Sequence, residues 1–197
     1  MRSIKITKSN FLIGLDEVGR GCLAGPVVSA AVGFNKTPDG LKDSKQLTKK
    51  QRIKLLPIIL KKACFVGIGI VDNQYIDDFG LTKSVSMSMQ IALMNLDNNN
   101  KDYRIIIDGN YNFLKNYNFV ETVVGGDNSI NEIMAASIVA KVFRDSIMQK
   151  IHNNWPQYGF DQHVGYGTSY HLNQLAKYGP CPIHRLSFRP VQTSIIV

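Results

Sequence analysis

Four short segments of this chain bring a carboxylate to the end of an apolar run. Gly14-Leu15-Asp16-Glu17-Val18-Gly19-Arg20-Gly21 delivers two adjacent acids and then a glycine–arginine–glycine turn. Ile105-Ile106-Ile107-Asp108-Gly109 and Val123-Val124-Gly125-Gly126-Asp127 each deliver one acid, and Arg144-Asp145 is a lesser fourth case. Clustered acids repel one another when empty, and cations relieve that cost. Carboxylate oxygen is what Mg²⁺ and Mn²⁺ prefer. Two such ions about 4 Å apart activate a water and stabilise the leaving oxygen of a phosphodiester. Asp16, Glu17, Asp108 and Asp127 supply enough oxygens to hold them. Successive strand residues point to opposite faces, so Asp16 and Glu17 share a site only if the strand ends or bends there, which Val18-Gly19 permits. Taken singly, each acid also fits a strand end or a helix cap, and Asp127 fits a turn before a helix.

Gly19-Arg20-Gly21 fits a plain hairpin turn. It also fits a loop whose glycines admit a nucleotide sugar close to the backbone while Arg20 offers charge and hydrogen bonds. Backbone groups beside a 2′-hydroxyl, which both donates and accepts, can tell RNA from DNA. The net charge of +8 suits a polyanion, because each phosphate neutralised releases counterions, and it equally suits a soluble surface.

The elements that must position these residues follow from periodicity. Phe11 to Leu15, Pro26 to Phe34, Phe65 to Val71, Arg104 to Ile107 and Phe119 to Val124 read as strands. Thr48-Lys49-Lys50-Gln51 is a capping-box sequence opening a helix that Pro57 could shorten or kink. Helical spacing predicts one helix from about Asp77 to Leu96, one over 131–152 and one over 169–178, the last stopped by Gly179 and Pro180. Strands alternating with helices give an α/β class. With 197 residues, 44% hydrophobic content and no repeat or linker, the chain reads as a single domain over 1–197, with a loop-rich, helical C-terminal extension from about 153.

Cys22, Cys64 and Cys181 are odd in number and far apart, and the four histidines lack zinc-finger spacing, so the thiols read as reduced and the compartment as cytoplasmic. No signal peptide is evident, and no run reaches the roughly 18 apolar residues of a membrane helix. A monomer is expected.

Together these segments resemble ribonuclease HII. The matching stretches are residues 14–21, Ala24-Gly25-Pro26-Val27-Val28, Asp43-Ser44-Lys45, Ile107-Asp108-Gly109-Asn110, Gly126-Asp127 and Ala135-Ala136-Ser137-Ile138-Val139-Ala140-Lys141-Val142. They continue with Arg144-Asp145, Pro156-Gln157-Tyr158-Gly159-Phe160, Gly165-Tyr166, and His184-Arg185 with Ser187-Phe188. The resemblance implies a ribonuclease H-like fold, a mixed five-stranded sheet flanked by helices with a C-terminal helical extension. It implies an endoribonuclease that hydrolyses the RNA strand of RNA–DNA hybrids and cuts 5′ of single ribonucleotides in duplex DNA. Products would carry 3′-hydroxyl and 5′-phosphate ends, with two Mg²⁺ or Mn²⁺ ions used in catalysis. Asp16, Glu17, Asp108 and Asp127 become the metal-binding catalytic acids, Gly19, Arg20 and Gly21 the readers of the 2′-hydroxyl, and Tyr166 the ring that stacks on the neighbouring deoxyribose. Ser44, Lys45, Lys141 and Arg144 are candidate substrate contacts, with a solvated basic face as the alternative for the cations. Lys141 and Arg144 are three apart on a helix and share a face. Asp145 is expected to support the site without binding metal, and His163 and His184 to pack.

Two departures from the family pattern stand out. Gly125 replaces a lysine, and Val164-Gly165-Tyr166-Gly167 replaces Lys-Gly-Tyr-Pro, which predicts weaker phosphate contact and a looser loop at Tyr166. Competing readings are ribonuclease HIII, whose added N-terminal domain is not expected ahead of the first strand, a nucleic-acid-binding protein on the same fold without catalysis, and a metal-dependent enzyme acting on small phosphates. The last lacks a Gly-x-x-x-x-Gly-Lys loop.

Overall fold

The computed structural model describes residues 11–38, 41, 46–96 and 103–195. Ser44 and Lys45 lie outside the described residues. Five strands form one sheet: β1 (Phe11–Val18), β2 (Val27–Phe34), β3 (Ala63–Val71), β4 (Tyr103–Asp108) and β5 (Val120–Val123). Their order is β3-β2-β1-β4-β5. β1 pairs antiparallel with β2, and β2 with β3. β1 pairs parallel with β4, and β4 with β5. β1 is thus the central strand, and its apolar run is buried on both faces, as a partly parallel sheet requires.

α1 (Lys49–Lys62) follows β2, α2 (Asn73–Phe79) and α3 (Leu81–Met94) follow β3, and α4 (Asn131–His152) follows β5. Thr48 caps α1 in a full capping box with Gln51. Pro57 lies inside α1 without ending it, on an exposed stretch where one missing backbone donor costs least. The single helix expected from Asp77 to Leu96 is two, because Gly80 breaks it at φ +82°. On one side of the sheet, α3 packs its Val85, Met89 and Ala92 against Ile13, Leu15 and Ile107. On the other, α4 packs its Ala135, Ala136, Val139 and Ala140 against Ala30 and Val32. After α4 come α5 (Phe160–His163), α6 (Ser169–Tyr178) and α7 (Arg189–Ile195). α5 and α7 carry too few residues to show a helical period in sequence. Two isolated bridges, Cys22 to Tyr166 and Ala24 to His184, tie this region to the loop between β1 and β2. Among the described residues no helix is long and apolar enough to cross a membrane.

Candidate active site

β1 and β4 run parallel, with Leu15 paired to Ile107. The next residues along the two strands, Asp16 and Asp108, are therefore neighbours on one side of the sheet. Glu17 points the other way by the strand period. It nevertheless lines the same cavity, because β4 stops at Asp108 while β1 runs on to Val18 beside β2. The strand neither ends nor bends at Asp16. Its neighbour ends instead, and the sheet opens there.

The resulting cleft has a volume of about 320 Å³ and is lined by Asp16, Glu17, Gly19, Arg20, Gly21, Arg52, Asp108, Ser137, Lys141 and Tyr166, among others. Burial, reinforced by the charges of Glu17 and Asp108, pushes the Asp16 carboxyl up to about 7, against bonds to Ser137 and the Glu17 amide that favour the ionised form. Burial also raises Glu17, which Arg20 pulls back through an Nη1–Oε1 contact of 3.0 Å. Glu17 Oε2 is buried and has no hydrogen-bond partner among the described residues. Three neighbouring carboxylates, one with that buried oxygen, supply all-oxygen donors of the type a hard divalent cation takes.

Asp127 comes from a separate element. It sits in the 3-10 turn Gly126–Asn128, 1% exposed, with Oδ1 accepting from Asn128 Nδ2 at 3.1 Å, and it is not among the residues lining the cleft. The amide that precedes it reaches the other acids, since Gly126 N–H donates to Asp108 Oδ1 at 2.8 Å. Among the described residues no three acids are gathered closely enough to form a ready-made metal cage.

Gly19 has φ +97°, and a Cβ there would collide with Arg144 Nε and the Pro26 carbonyl, so the turn after β1 accepts only glycine. A Cβ at Gly21 would meet nothing within 4 Å. The first glycine is thus demanded by the protein itself, and the second leaves room over the cleft. Arg20 is exposed, with its guanidinium 5.5 Å from the Phe113 ring.

Of the cations expected here, Lys141 lines the cleft, bonded to Asp145 Oδ1 at 2.8 Å and 5.7 Å from the Tyr166 ring. Arg144 does not. It is 0% exposed, and its three nitrogens donate to the carbonyls of Pro26, Val164 and Ala24 at 2.7–3.0 Å. The shared helix face with Lys141 misleads, because this longer side chain turns inward beneath the loop. Asp145 is buried between Lys141 and Arg52 and does not line the cleft.

The loop of Tyr166 is tied down, contrary to the expectation from its missing proline. Leu23 N–H donates to Gly165 O at 2.8 Å, Arg144 holds Val164 O, and His171 Nδ1 lies 2.9 Å from Tyr166 O. That carbonyl only accepts, so His171 carries its proton on Nδ1. Its Nε2 then accepts from His184 Nε2 at 3.0 Å, and His184 Nδ1 accepts from Cys181 N–H at 2.9 Å. Burial lowers both imidazoles to about 4, His184 with help from His171, so the chain of bonds is neutral.

Sequence reasoning missed Arg52 and Ser137. Ser137 is a polar residue inside the otherwise apolar buried run 133–140 of α4, which is a readable signal. Arg52 comes from α1, and nothing in its local sequence places it at β1.

A family model described as Ribonuclease HII matches residues 13–191. The chain is 47% identical over 178 residues to a ribonuclease HII of Thermotoga maritima, covering 90% of this chain and 73% of that protein. It is 42% identical over 191 residues to one of Pseudoalteromonas atlantica, covering 95% of each. Among solved structures, ribonuclease H2 from Pyrococcus horikoshii OT3 superposes with a TM-score of 0.78 at 25% identity, over 93% of this chain and 96% of that one. Bst-RNase HIII in complex with Mn²⁺ superposes at 0.74 and 20% identity, over 95% of this chain and 70% of that one, a likeness of fold.

Proposed function

Since the chain belongs to the ribonuclease HII family and is a ribonuclease H, we propose that it hydrolyses the RNA strand of RNA–DNA hybrids and cuts 5′ of single ribonucleotides in duplex DNA. The products carry 3′-hydroxyl and 5′-phosphate ends. The observation behind this reading is one cavity that joins Asp16, Glu17 and Asp108 to the Gly19–Gly21 loop and Tyr166. Chemistry on a phosphodiester and inspection of the adjoining sugar are thereby within one nucleotide's reach.

Asp16, Glu17, Asp108 and Asp127 would hold the divalent ions, Mg²⁺ or Mn²⁺, which when bound would activate the attacking water and stabilise the leaving oxygen. Ser137 and the Glu17 amide bond Asp16 and favour its ionised form. Gly126 N–H orients Asp108. The Gly19–Gly21 backbone approaches the ribose, Arg20 and Lys141 face the backbone phosphates, and Tyr166 stacks on the next deoxyribose. Arg144 supports the loop and makes no phosphate contact. Ser44 and Lys45 remain candidate substrate contacts.

The test is a gel assay on a DNA duplex bearing one ribonucleotide, beside an all-DNA control, with Mg²⁺ or Mn²⁺. One cut on the 5′ side of the ribonucleotide, abolished by chelation, is the expected result. Cleavage of long hybrids alone would remove the single-ribonucleotide part of the reading, and no cleavage of either would remove the enzyme.

A further inference from the structure

Arg185 is as buried as any residue in the molecule, 0% exposed, and is absorbed by nothing in the site described above. Among the described residues it forms no ion pair. A buried guanidinium without a carboxylate is costly unless its N–H groups are satisfied in another way. Here every nitrogen ends on a backbone carbonyl. Nη2 donates to Gly19 O at 2.7 Å and to Gly25 O at 2.9 Å, Nη1 to Arg20 O at 2.9 Å, and Nε to Gly25 O at 3.1 Å. Burial pulls it down to about 10, which leaves it charged at neutral pH. The residue is itself fixed, its N–H on Leu23 O at 2.8 Å, with the next two amides on the Asp77 carboxylate at 2.8 and 2.9 Å.

Two of those carbonyls belong to the peptides that carry the Arg20 and Gly21 N–H groups. Every described peptide is trans. In a trans peptide the N–H points away from the C=O. A guanidinium that turns the Gly19 and Arg20 carbonyls inward therefore turns the next two amides outward, on residues that line the cleft. Neither amide has a protein acceptor among the described residues. Successive N–H groups facing one way form a concavity for an oxygen acceptor. Without Arg185, buried carbonyls would lack donors, and the peptides would rotate to find water, taking the amides with them.

We propose that Arg185 is the positioning residue for sugar discrimination: by holding the Gly19 and Arg20 carbonyls inward it presents the Arg20 and Gly21 N–H groups to the 2′-hydroxyl oxygen of a ribonucleotide. This rests on the ribonucleotide-directed reading given above. It assigns Arg185 no contact with the substrate.

The experiment compares wild type with Arg185→Lys, which keeps the charge and one or two of the bonds. In a chelating buffer, which prevents cleavage, affinity is measured for a duplex with one ribonucleotide and for the all-DNA duplex of the same sequence. Arg185→Lys is expected to lower the ratio of the two affinities by about tenfold, the worth of one or two hydrogen bonds, while all-DNA affinity stays within about twofold. A merely structural role would lower the melting temperature and weaken both complexes alike, and that result, or an unchanged ratio, overturns the proposal. A wild-type ratio near one overturns the proposal together with the reading it rests on. If Arg185→Lys does not fold, amide hydrogen exchange on wild type decides. Arg20 and Gly21 are expected to gain protection with the ribonucleotide duplex and not with DNA, and equal protection overturns the proposal.

Discussion

On one side of the Gly19–Gly21 loop, three carboxylates crowd a cleft, with Glu17 Oε2 unpartnered and Asp16 pushed up to about 7. On the other side, Arg144, Arg185, His171 and His184 are buried at least as deeply, and each of their nitrogens has a partner. Burial of polar groups is common to both regions, and satisfaction separates them. The unsatisfied region stores a cost that a ligand relieves, whereas the satisfied one holds a loop in place.

The contrast breaks most visibly at Asp108. Asp108→Asn should lower the cleavage rate by about a thousandfold or more while duplex binding changes little, since it removes one charge from the catalytic set and no packing. Near-normal cleavage would show that the acids are only strand-end residues. In the satisfied region the largest effect is on stability. Gly19→Ala forces an L side chain into φ +97° and onto Arg144, and should cost about 2–4 kcal/mol in urea unfolding. Gly21→Ala, two residues on, meets open space and should cost less than about 0.5 kcal/mol while weakening ribonucleotide binding. Equal destabilisation by both would erase the distinction between the two glycines.

Those two glycines also mark how far the sequence can be read. All five strands, the acids at their ends and α4 from Asn131 to His152 are legible, because apolar period and β-branched runs are local signals. The hidden part is long-range. Arg144 and Arg185 bond carbonyls 20 to 166 residues away, and an arginine satisfied by backbone has the same sequence signature as one facing water. Arg144 was accordingly expected at a phosphate, and the Tyr166 loop was expected to be loose because the bonds that fix it come from elsewhere in the chain. Asp127 was expected among the other acids. Its turn after β5 brings the neighbouring Gly126 amide to Asp108, and no strand register aligns it with the other acids as β1 and β4 align Asp16 and Asp108.

The two regions also titrate with opposite sign. Asp16 rises from an ordinary 3.8 to about 7 on folding, so between those values the folded state holds more protons and stability falls as pH rises. His171 and His184 fall from 6.5 to about 4, so in that window the unfolded state holds more protons and stability falls as pH drops. In chelated wild-type protein the two trends partly cancel. Asp16→Asn removes the first, since its amide oxygen can still accept from Glu17 N–H. It should inactivate the enzyme and yet, above pH 7, stabilise the chelated protein by about 1–3 kcal/mol. Below pH 4 that gain should vanish, and between pH 6.5 and 4 the variant should lose stability more steeply with acid than wild type does. Urea unfolding against pH measures all three. A variant no more stable than wild type above pH 7 would mean that Asp16 is not strained by burial.

The smallest expected effect tests a cation that belongs to both regions. Lys141 reaches the cleft, yet its ammonium is bonded to the buried Asp145 at 2.8 Å. If it faces phosphate, Lys141→Met, which keeps the stem, should weaken duplex binding by about threefold and reduce the slope of log affinity against log salt by about one, with kcat nearly unchanged. If it serves only Asp145, the salt slope should stay as it is, and removing the charge should instead leave a carboxylate whose other cation among the described residues, Arg52, stands 4.0 Å away. Salt slope and unfolding free energy, measured on the same variant, therefore assign Lys141 to the substrate side of the loop or to its support.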